Sequence, residues 1–177
     1  MTVTFEVTVT FIEYNLIMTH IVYIALGTNL GKRLANLRSA IRSMPPKIEV
    51  LAESHVYETP PWGYENQPAF LNMVVKAETG LEPESLLTYL KQLEVQLGRE
   101  QNFRWGPRLI DLDILFLDEL IIDSPPLVIP HPRLHERAFV LVPLEDVAPN
   151  FIHPVLQRTV SDLLAEIDQW GIVRVGD

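Results

Sequence analysis

The chain has 177 residues, a formal net charge of −9 at pH 7 and no cysteine. A hydrophobic content of 47% with 21% charged residues is ordinary for a globular protein of one domain. This composition excludes a disulfide scaffold, thiolate catalysis and a Cys-ligated zinc site, and the negative charge argues against general binding to nucleic acid or an anionic membrane.

Residues 1–17 are predicted to be an N-terminal extension that the rest of the chain does not need. Residues 1–11 alternate at period two, which is typical of a strand, and they lack the basic region and cleavage site of a signal peptide. An added edge strand is the alternative. The remaining residues, 18–177, are predicted to form a single domain.

The pattern of apolar residues in 21–57 predicts a strand, a helix and a second strand. The first strand, at residues 21–26, ends at Gly27. The apolar residues of the first helix keep helical spacing: Leu30, Leu34, Leu37 and Ile41. Pro45-Pro46 ends this helix, and the second strand follows at residues 48–57.

Residues 70–122 predict a strand, an amphipathic helix and two more strands. The strand at residues 70–77 precedes a helix with Pro83 near its first turn and Gly98 just past its end. The apolar face of this helix consists of Leu86, Leu90, Leu93 and Leu97. Strands are predicted at residues 110–117 and 120–122.

The element order β-α-β-β-α-β predicts an α+β fold, a ferredoxin-like sandwich in which helices pack on one face of an antiparallel sheet. The proline-rich residues 125–154 are predicted to be a rigid surface connection. An extra C-terminal helix is expected from Val160, Leu163, Leu164 and Ile167. Thr159, with Asp162 three residues on, is its predicted cap.

The segment 104–115 is the most informative part of the sequence. Asp111 and Asp113 are separated by one residue of a predicted strand, so their side chains share one face, with Cα atoms about 6.5–7 Å apart. Two such carboxylates suit a hard divalent cation such as Mg²⁺, and Arg104 and Arg108 supply positive charge for phosphates. The alternative is a half-buried strand with one polar face in water.

The basic residues are unevenly distributed. Five of the ten arginines fall in two short windows, and the second window also contains two histidines: Arg99, Arg104 and Arg108, then His131, Arg133, His135 and Arg137. An acidic protein with two local basic clusters is typical of one that binds a small polyanion.

Two further segments indicate recognition of a flat heterocycle. Consecutive prolines stiffen the loop at residues 59–63, although such a pair is also common in plain turns. Phe70 and Asn72 share one strand face and offer a stacking surface beside an amide, and Phe139 offers a second ring. For either ring, an ordinary place in the core is the alternative.

Together these motifs resemble the 6-hydroxymethyl-7,8-dihydropterin pyrophosphokinase family of folate biosynthesis. The resemblance extends over about residues 20–155 and rests on segments in the family's order: residues 25–31, 57–63, 70–72, 104–115, 128–131 and 137–139, with Glu94 and Gly98-Arg99. Gln101 stands where some relatives carry an arginine, and Pro132 where an aromatic residue is frequent.

The resemblance implies a catalytic domain that transfers diphosphate from ATP to the pterin alcohol with two Mg²⁺ ions. It implies catalytic roles for Asp111, Asp113, Arg99 and Arg108, with both aspartates as metal ligands. The implied pterin residues are Thr59, Pro60, Pro61, Trp62, Phe70, Asn72 and Phe139. The implied ATP residues are Glu94, Arg99, Trp105, Arg108, Ile114, Val128, His131 and Arg137.

Two other functions are compatible with parts of the pattern. A nucleotidyltransferase also uses two strand-borne acids, but they usually follow a Gly-Ser pair closely, whereas Gly27-Thr28 lies far upstream of Asp111. A non-catalytic ferredoxin-like ligand-binding module would not need the acid pair. We expect a cytoplasmic monomer whose partners are small molecules, with no binding to nucleic acid or membrane.

Overall fold

The computed structural model describes residues 18–61, 63–100 and 106–176. Within these ranges the strands are β1 His20–Thr28, β2 Ile48–Glu53, β3 Tyr57–Thr59, β4 Phe70–Thr79, β5 Asp111–Leu117, β6 Ile122–Ser124, β7 Leu127–Ile129 and β8 Val173–Arg174. The α-helices are α1 Arg33–Ser43, α2 Pro83–Gln96, α3 Ala138–Val147 and α4 Val160–Ala165. The predicted extension, Trp62, Arg104 and Trp105 lie outside the described residues.

β1 is an interior strand of an antiparallel sheet. It pairs with β4 on one side and β5 on the other, in the strand order β5-β1-β4-β3-β8, and β2 also pairs with β4. Gly27 of β1 lies opposite both Asn72 of β4 and Asp111 of β5, so the three residues form one row. Neighbours in such a row point to the same face of the sheet, which brings side chains from distant parts of the sequence together.

Helices cover both faces of this sheet, so the prediction that they pack on one face is wrong. On the first face, Leu37 of α1 and Leu90 of α2 pack in a core with Ile24 of β1. On the second face, Leu141 of α3 packs in a core with Tyr23, which neighbours Ile24 in β1. Because successive strand residues point to opposite faces, β1 contributes to both cores.

The proline-rich residues 125–154 were predicted to be a rigid surface connection, and this prediction is wrong. They contain β7 and the buried helix α3. Pro143 lies inside α3, where it cannot donate to the carbonyl four residues earlier, that of Phe139. Burial of Val140, Leu141 and Leu144 offsets this missing hydrogen bond.

Two strand predictions also need correction. The strand predicted at residues 48–57 is two strands, β2 and β3. Between them the backbone N–H of Ser54 still donates to the Val74 carbonyl at 2.9 Å, but the backbone N–H of Val74 donates to the Ser54 Oγ at 2.9 Å instead of to a backbone carbonyl. The strand predicted at residues 120–122 begins only at Ile122. It is β6, which pairs with β7 in a separate two-stranded sheet.

The predicted helix ends are confirmed at two places. α2 begins at Pro83, and Gly98 follows its end with a φ of +91°. Thr159 caps α4: its Oγ1 accepts from the N–H of Asp162 at 3.0 Å, and its own N–H donates to the Asp162 carboxylate at 3.2 Å. None of the helices in the described ranges is long and apolar enough to cross a membrane.

Candidate active site

A cavity of about 200 Å³ lies on the second face of the sheet, where β1 ends. Most of the predicted site residues line it: Thr59, Pro60, Phe70, Asn72, Arg108, Asp111, Asp113, His131, Arg137 and Phe139. Ala25 and Gly27 of β1 also line it, and their small size leaves space above the sheet. The fold thus brings the predicted heterocycle and phosphate residues into one cavity.

The two aspartates lie on the same face of β5, as their spacing predicts, while Leu112 between them is buried in the opposite core. Asp111 is paired with two arginines: its Oδ1 lies 2.5 Å from Arg99 Nη1, and its Oδ2 lies 2.6 Å from Arg108 Nη1. Burial alone would raise the pKa of Asp111, but the charges of Arg108 and Arg99 outweigh burial and lower it. Asp111 is therefore a carboxylate at neutral pH.

Two side chains of α2 complete the outer edge of β5. Glu94, which is 2% exposed, accepts a hydrogen bond of 2.7 Å from the N–H of Leu112, and Lys91 donates to the Leu112 carbonyl at 2.9 Å. The Lys91 Nζ also lies 2.8 Å from Glu94 Oε1 and 3.5 Å from Asp113 Oδ1. These side chains make the hydrogen bonds that a neighbouring strand would otherwise make.

Lys91 was not among the predicted site residues. Burial is the largest influence on its pKa and lowers it, but the carboxylates of Asp113 and Glu94 outweigh burial and raise the pKa. Lys91 is therefore a stable cation beside the acid pair. The sequence could have indicated this role, because Lys91 is the one basic residue of α2 and lies three positions before Glu94, on the same helix face.

Arg99 joins this network to Asp111. Its Nη1 lies 2.6 Å from Glu94 Oε2 as well as 2.5 Å from Asp111 Oδ1. Burial raises the pKa of Glu94, although Lys91 and Arg99 both oppose this increase. The buried carboxyl of Glu94 thus fixes both cations beside the site.

Asn72 and Thr59 form the polar part of the opposite end of the cavity. The Nδ2 of Asn72 donates to Thr59 Oγ1 at 2.7 Å, and both residues are buried. A Cβ at Gly27 would lie 3.0 Å from the Asn72 Oδ1, so the glycine leaves space for this amide. The hydrogen bond to Thr59 fixes the orientation of the amide, with its oxygen over β1.

Phe70 of β4 and Phe139 of α3 line the cavity from two different elements. Each ring lies near one arginine: the Arg108 Cζ is 5.9 Å from the centroid of Phe70, and the Arg137 Cζ is 5.7 Å from the centroid of Phe139. These are cation–π distances. The aromatic part of the cavity is therefore continuous with its cationic part.

His131 is held in one orientation by the backbone. The backbone N–H of His131 donates to the Leu115 carbonyl at 2.9 Å. The ring Nδ1 accepts from the backbone N–H of Arg133 at 3.2 Å. Burial lowers the pKa of His131, Asp113 opposes this, and Arg137 adds to the lowering. The ring is therefore neutral at pH 7, with its proton on Nε2.

Asn29 positions the segment that carries Arg108, a role that the sequence did not indicate. The side-chain Oδ1 of Asn29 accepts from the backbone N–H of Arg108 at 2.8 Å, and the backbone N–H of Asn29 donates to the Arg108 carbonyl at 3.1 Å. The Asn29 Nδ2 donates to Pro68 and Gln67 at 3.1 and 3.0 Å. One buried amide therefore connects the end of β1, the arginine segment and the chain before Phe70.

Five predicted site residues are not part of the cavity lining: Pro61, Glu94, Arg99, Ile114 and Val128. Glu94 and Arg99 adjoin the site through their ion pairs. Ile114 lies two residues after Leu112, so its backbone groups point to the same outer edge of β5. Val128 lies in β7. Trp62 and Trp105 are outside the described residues.

Comparison with known proteins identifies the family. A family model described as 7,8-dihydro-6-hydroxymethylpterin-pyrophosphokinase matches residues 23–149. The 2-amino-4-hydroxy-6-hydroxymethyldihydropteridine pyrophosphokinase of Aquifex aeolicus is 41% identical over 145 residues, which cover 82% of this chain and 91% of that protein. The folic acid synthesis protein FOL1 of Dictyostelium discoideum is 41% identical over 152 residues, which cover 86% of this chain but only 23% of that longer protein.

A solved structure of a Plasmodium falciparum HPPK-DHPS triple mutant is similar in fold. Its TM-score is 0.71 at 18% identity, and the match covers 84% of this chain and 43% of that chain. At this identity the likeness concerns the fold alone, whereas the family model covers most of the present chain. The chain belongs to the 7,8-dihydro-6-hydroxymethylpterin-pyrophosphokinase family.

Proposed function

We propose that this protein transfers an intact diphosphate group from ATP to the hydroxymethyl oxygen of 6-hydroxymethyl-7,8-dihydropterin, in folate biosynthesis. That oxygen attacks the β-phosphorus, the bond from this phosphorus to the α,β-bridging oxygen breaks, and AMP leaves with the bridging oxygen. The hydroxyl proton passes to solvent. One observation carries the proposal: Phe70 and Asn72, which suit a pterin, share a cavity with Asp111 and Arg108, which suit a metal-bound polyphosphate.

Asp111 and Asp113 would hold Mg²⁺, and the family resemblance implies two ions. Both side chains offer hard oxygen ligands from one strand face. No group of three or more His, Asp or Glu side chains that could hold a metal exists among the described residues, so these two acids would leave positions for water and phosphate oxygens. Magnesium commonly binds in this way. Bound there, it would neutralise phosphate charge.

The cations around the acids form the proposed phosphate site. Arg99 and Arg108 are ion-paired with Asp111, and in the proposed reaction both guanidinium groups exchange Asp111 for phosphate oxygens. A guanidinium group can bind two such oxygens and stabilises the negative charge that spreads during transfer. His131 and Arg137 line the same cavity and add donors. Transfer of this kind depends mainly on positioning and charge neutralisation.

The pterin would lie at the other end of the cavity. We assign it to the residues predicted from the sequence: Thr59, Pro60, Pro61, Trp62, Phe70, Asn72 and Phe139. The two phenylalanine rings would stack on the flat heterocycle, and the Asn72 amide, held by Thr59 at 2.7 Å, would pair with its polar edge. The consecutive prolines keep the loop stiff, which lowers the entropy cost of binding.

The adenine would lie along the outer edge of β5. Glu94 and Lys91 already satisfy the backbone groups of Leu112, and the next backbone groups pointing to that edge belong to Ile114. A purine offers donors and acceptors that can bind such an edge. We propose that Val128 contributes backbone contacts beside it, and that Trp105 belongs to the same ATP site.

We also propose that the fold is ferredoxin-like. If β2 and β3 count as one interrupted strand, the elements up to β5 follow the order β-α-β-β-α-β, and β1 and β4 lie between the others. The helices α3 and α4 are then additions that cover the second face of the sheet.

Incubation of the protein with ATP, Mg²⁺ and the reduced pterin alcohol, followed by separation of the products, tests the proposal. We expect AMP and pterin diphosphate in equal amounts. Release of pyrophosphate, with AMP joined to the pterin, would indicate a nucleotidyltransferase instead. Binding of both substrates without turnover would indicate a non-catalytic ligand-binding module.

A further inference from the structure

Residues 171–175 lie against the strand that leads into the proposed pterin loop. β8 pairs antiparallel with β3, and Arg174 lies opposite Tyr57. Next to this pair, the N–H of Val175 donates to the Val56 carbonyl at 2.8 Å. The C-terminal segment therefore forms hydrogen bonds along the outer edge of β3.

β3 is short, so its pairing with β8 adds substantially to its hydrogen bonds. It contains three residues, pairs with β4 on its inner edge, and continues from Thr59 directly into Pro60. Pro60 lines the cavity. The position of Pro60 is thus set both by the sheet and by the C-terminal segment.

Gly171 lies close to Pro60. Its φ is +75°, and a Cβ at this position would lie 3.2 Å from the Pro60 Cγ and 3.3 Å from its Cδ. Since a proline ring has little freedom to move away, an added side chain must shift either the loop or the C-terminal segment. A Cβ at Gly176, just after this segment, would meet no atom within 4 Å.

We propose that residues 171–175 are a positioning element for the pterin pocket, and that Gly171 sets the place of Pro60 in it. This inference rests on the proposed function, because it takes the cavity wall at Pro60 to be part of the pterin site. The proposed phosphate residues Arg99, Arg108, His131 and Arg137 lie outside β3 and β8, and the acid pair lies on β5, which does not pair with either strand. A change at Gly171 should therefore affect the pterin without affecting ATP.

The test compares Gly171→Ala and Gly171→Asn with Gly176→Ala in the full chain. Asn tolerates positive φ better than Ala but has the same Cβ, so equal effects of both substitutions assign the change to the contact with Pro60. We expect both Gly171 variants to raise the KM and the Kd for the pterin about tenfold, as a small displacement of a binding group does. The KM for ATP should stay at the wild-type value, and Gly176→Ala should change neither.

Equal pterin affinity in Gly171→Ala and Gly176→Ala would overturn this inference and leave the proposed function intact. Equal weakening of pterin and ATP binding would also overturn it, because a general loss of structure affects both ligands. If the wild-type protein itself forms no AMP, the proposed function fails, and this inference fails with it.

Discussion

The Nη1 of Arg99 lies 2.5 Å from the Oδ1 of Asp111, so a proposed phosphate-binding cation and a proposed metal ligand neutralise each other. Arg108 lies 2.6 Å from the second oxygen of the same carboxylate. Separating these partly buried charges without new partners would be costly. A magnesium–nucleotide complex offers a cation to the carboxylate and phosphate oxygens to the guanidinium groups. Metal and nucleotide should therefore bind better together than either does alone.

Asn72→Ala is expected to weaken pterin binding by about 1–3 kcal/mol and to leave ATP binding unchanged, because a buried heterocycle edge loses its partner. Thr59→Val removes the hydroxyl that accepts from the Asn72 amide at 2.7 Å, and it should weaken the same ligand. Calorimetry with each ligand measures both effects, with the exposed Asn150→Ala as the control. Unchanged pterin affinity in Asn72→Ala would move the pterin site elsewhere.

Lys91→Met is expected to lower the free energy of unfolding by about 1–2 kcal/mol. The buried carboxyl group of Glu94 loses its hydrogen-bond partner, and water replaces only part of the lost interaction. Glu94 is 2% exposed, and its carboxyl group lies 2.8 Å from the Lys91 Nζ. Urea unfolding measures the change, and the exposed Lys32→Met is the control. If both substitutions have the same effect, the pair between Lys91 and Glu94 does not stabilise the fold.

Acid is expected to destabilise the protein through His153. The residue is 4% exposed, and its Nδ1 accepts from the backbone N–H groups of Val155 and Leu156, each at 3.2 Å. Burial first, and then the charge of His135, lower the pKa of His153 below 6.5. The unfolded chain therefore takes up this proton more readily than the folded protein does. Stability from this group is complete above pH 6.5 and is lost as the pH falls through that value towards the folded pKa.

Urea unfolding between about pH 8 and about pH 5 tests this role for His153. His153→Asn, which keeps a side-chain acceptor but does not titrate, should make the free energy of unfolding depend less on pH. In the wild type, the NMR signal of the His153 ring should titrate below pH 6.5. The same pH dependence in both proteins would contradict the prediction.

A protein that begins at Met18 is expected to fold and turn over like the full chain. None of the predicted site residues falls in residues 1–17, and β1 begins at His20. Thermal unfolding of both proteins is the measurement. A Tm lower by about 8 °C or more in the shortened protein would mean that the extension adds a structural strand worth a few kcal/mol.

Much of the site could be predicted because its signals are local in the sequence. The shared face of Asp111 and Asp113 follows from strand geometry alone. The spacing of Leu86 and Leu90, together with Gly98, was enough to place α2 and its end. Each of these patterns extends over a few residues, so no knowledge of the tertiary structure is needed.

The other parts depend on contacts between distant segments. α3 is apolar on most sides and contains Pro143, so it has neither a clear helical period nor a typical helix composition, and burial against the sheet stabilises it. The role of Lys91 appears only when α2 lies against the edge of β5. Asn29 meets Arg108 only when β1 and β5 are paired. Local patterns do not contain these contacts.

Turnover of Asp111→Asn and Asp113→Asn, beside Asp123→Asn as an exposed control on β6, tests the proposed site most directly. We predict that each of the first two substitutions lowers kcat at least about a hundredfold, because a metal ligand is lost, while the circular dichroism spectrum is unchanged. Asp123→Asn should form AMP and pterin diphosphate at the wild-type rate. Turnover within about threefold of wild type in both Asp111→Asn and Asp113→Asn would contradict the assignment of the acid pair as the catalytic metal site.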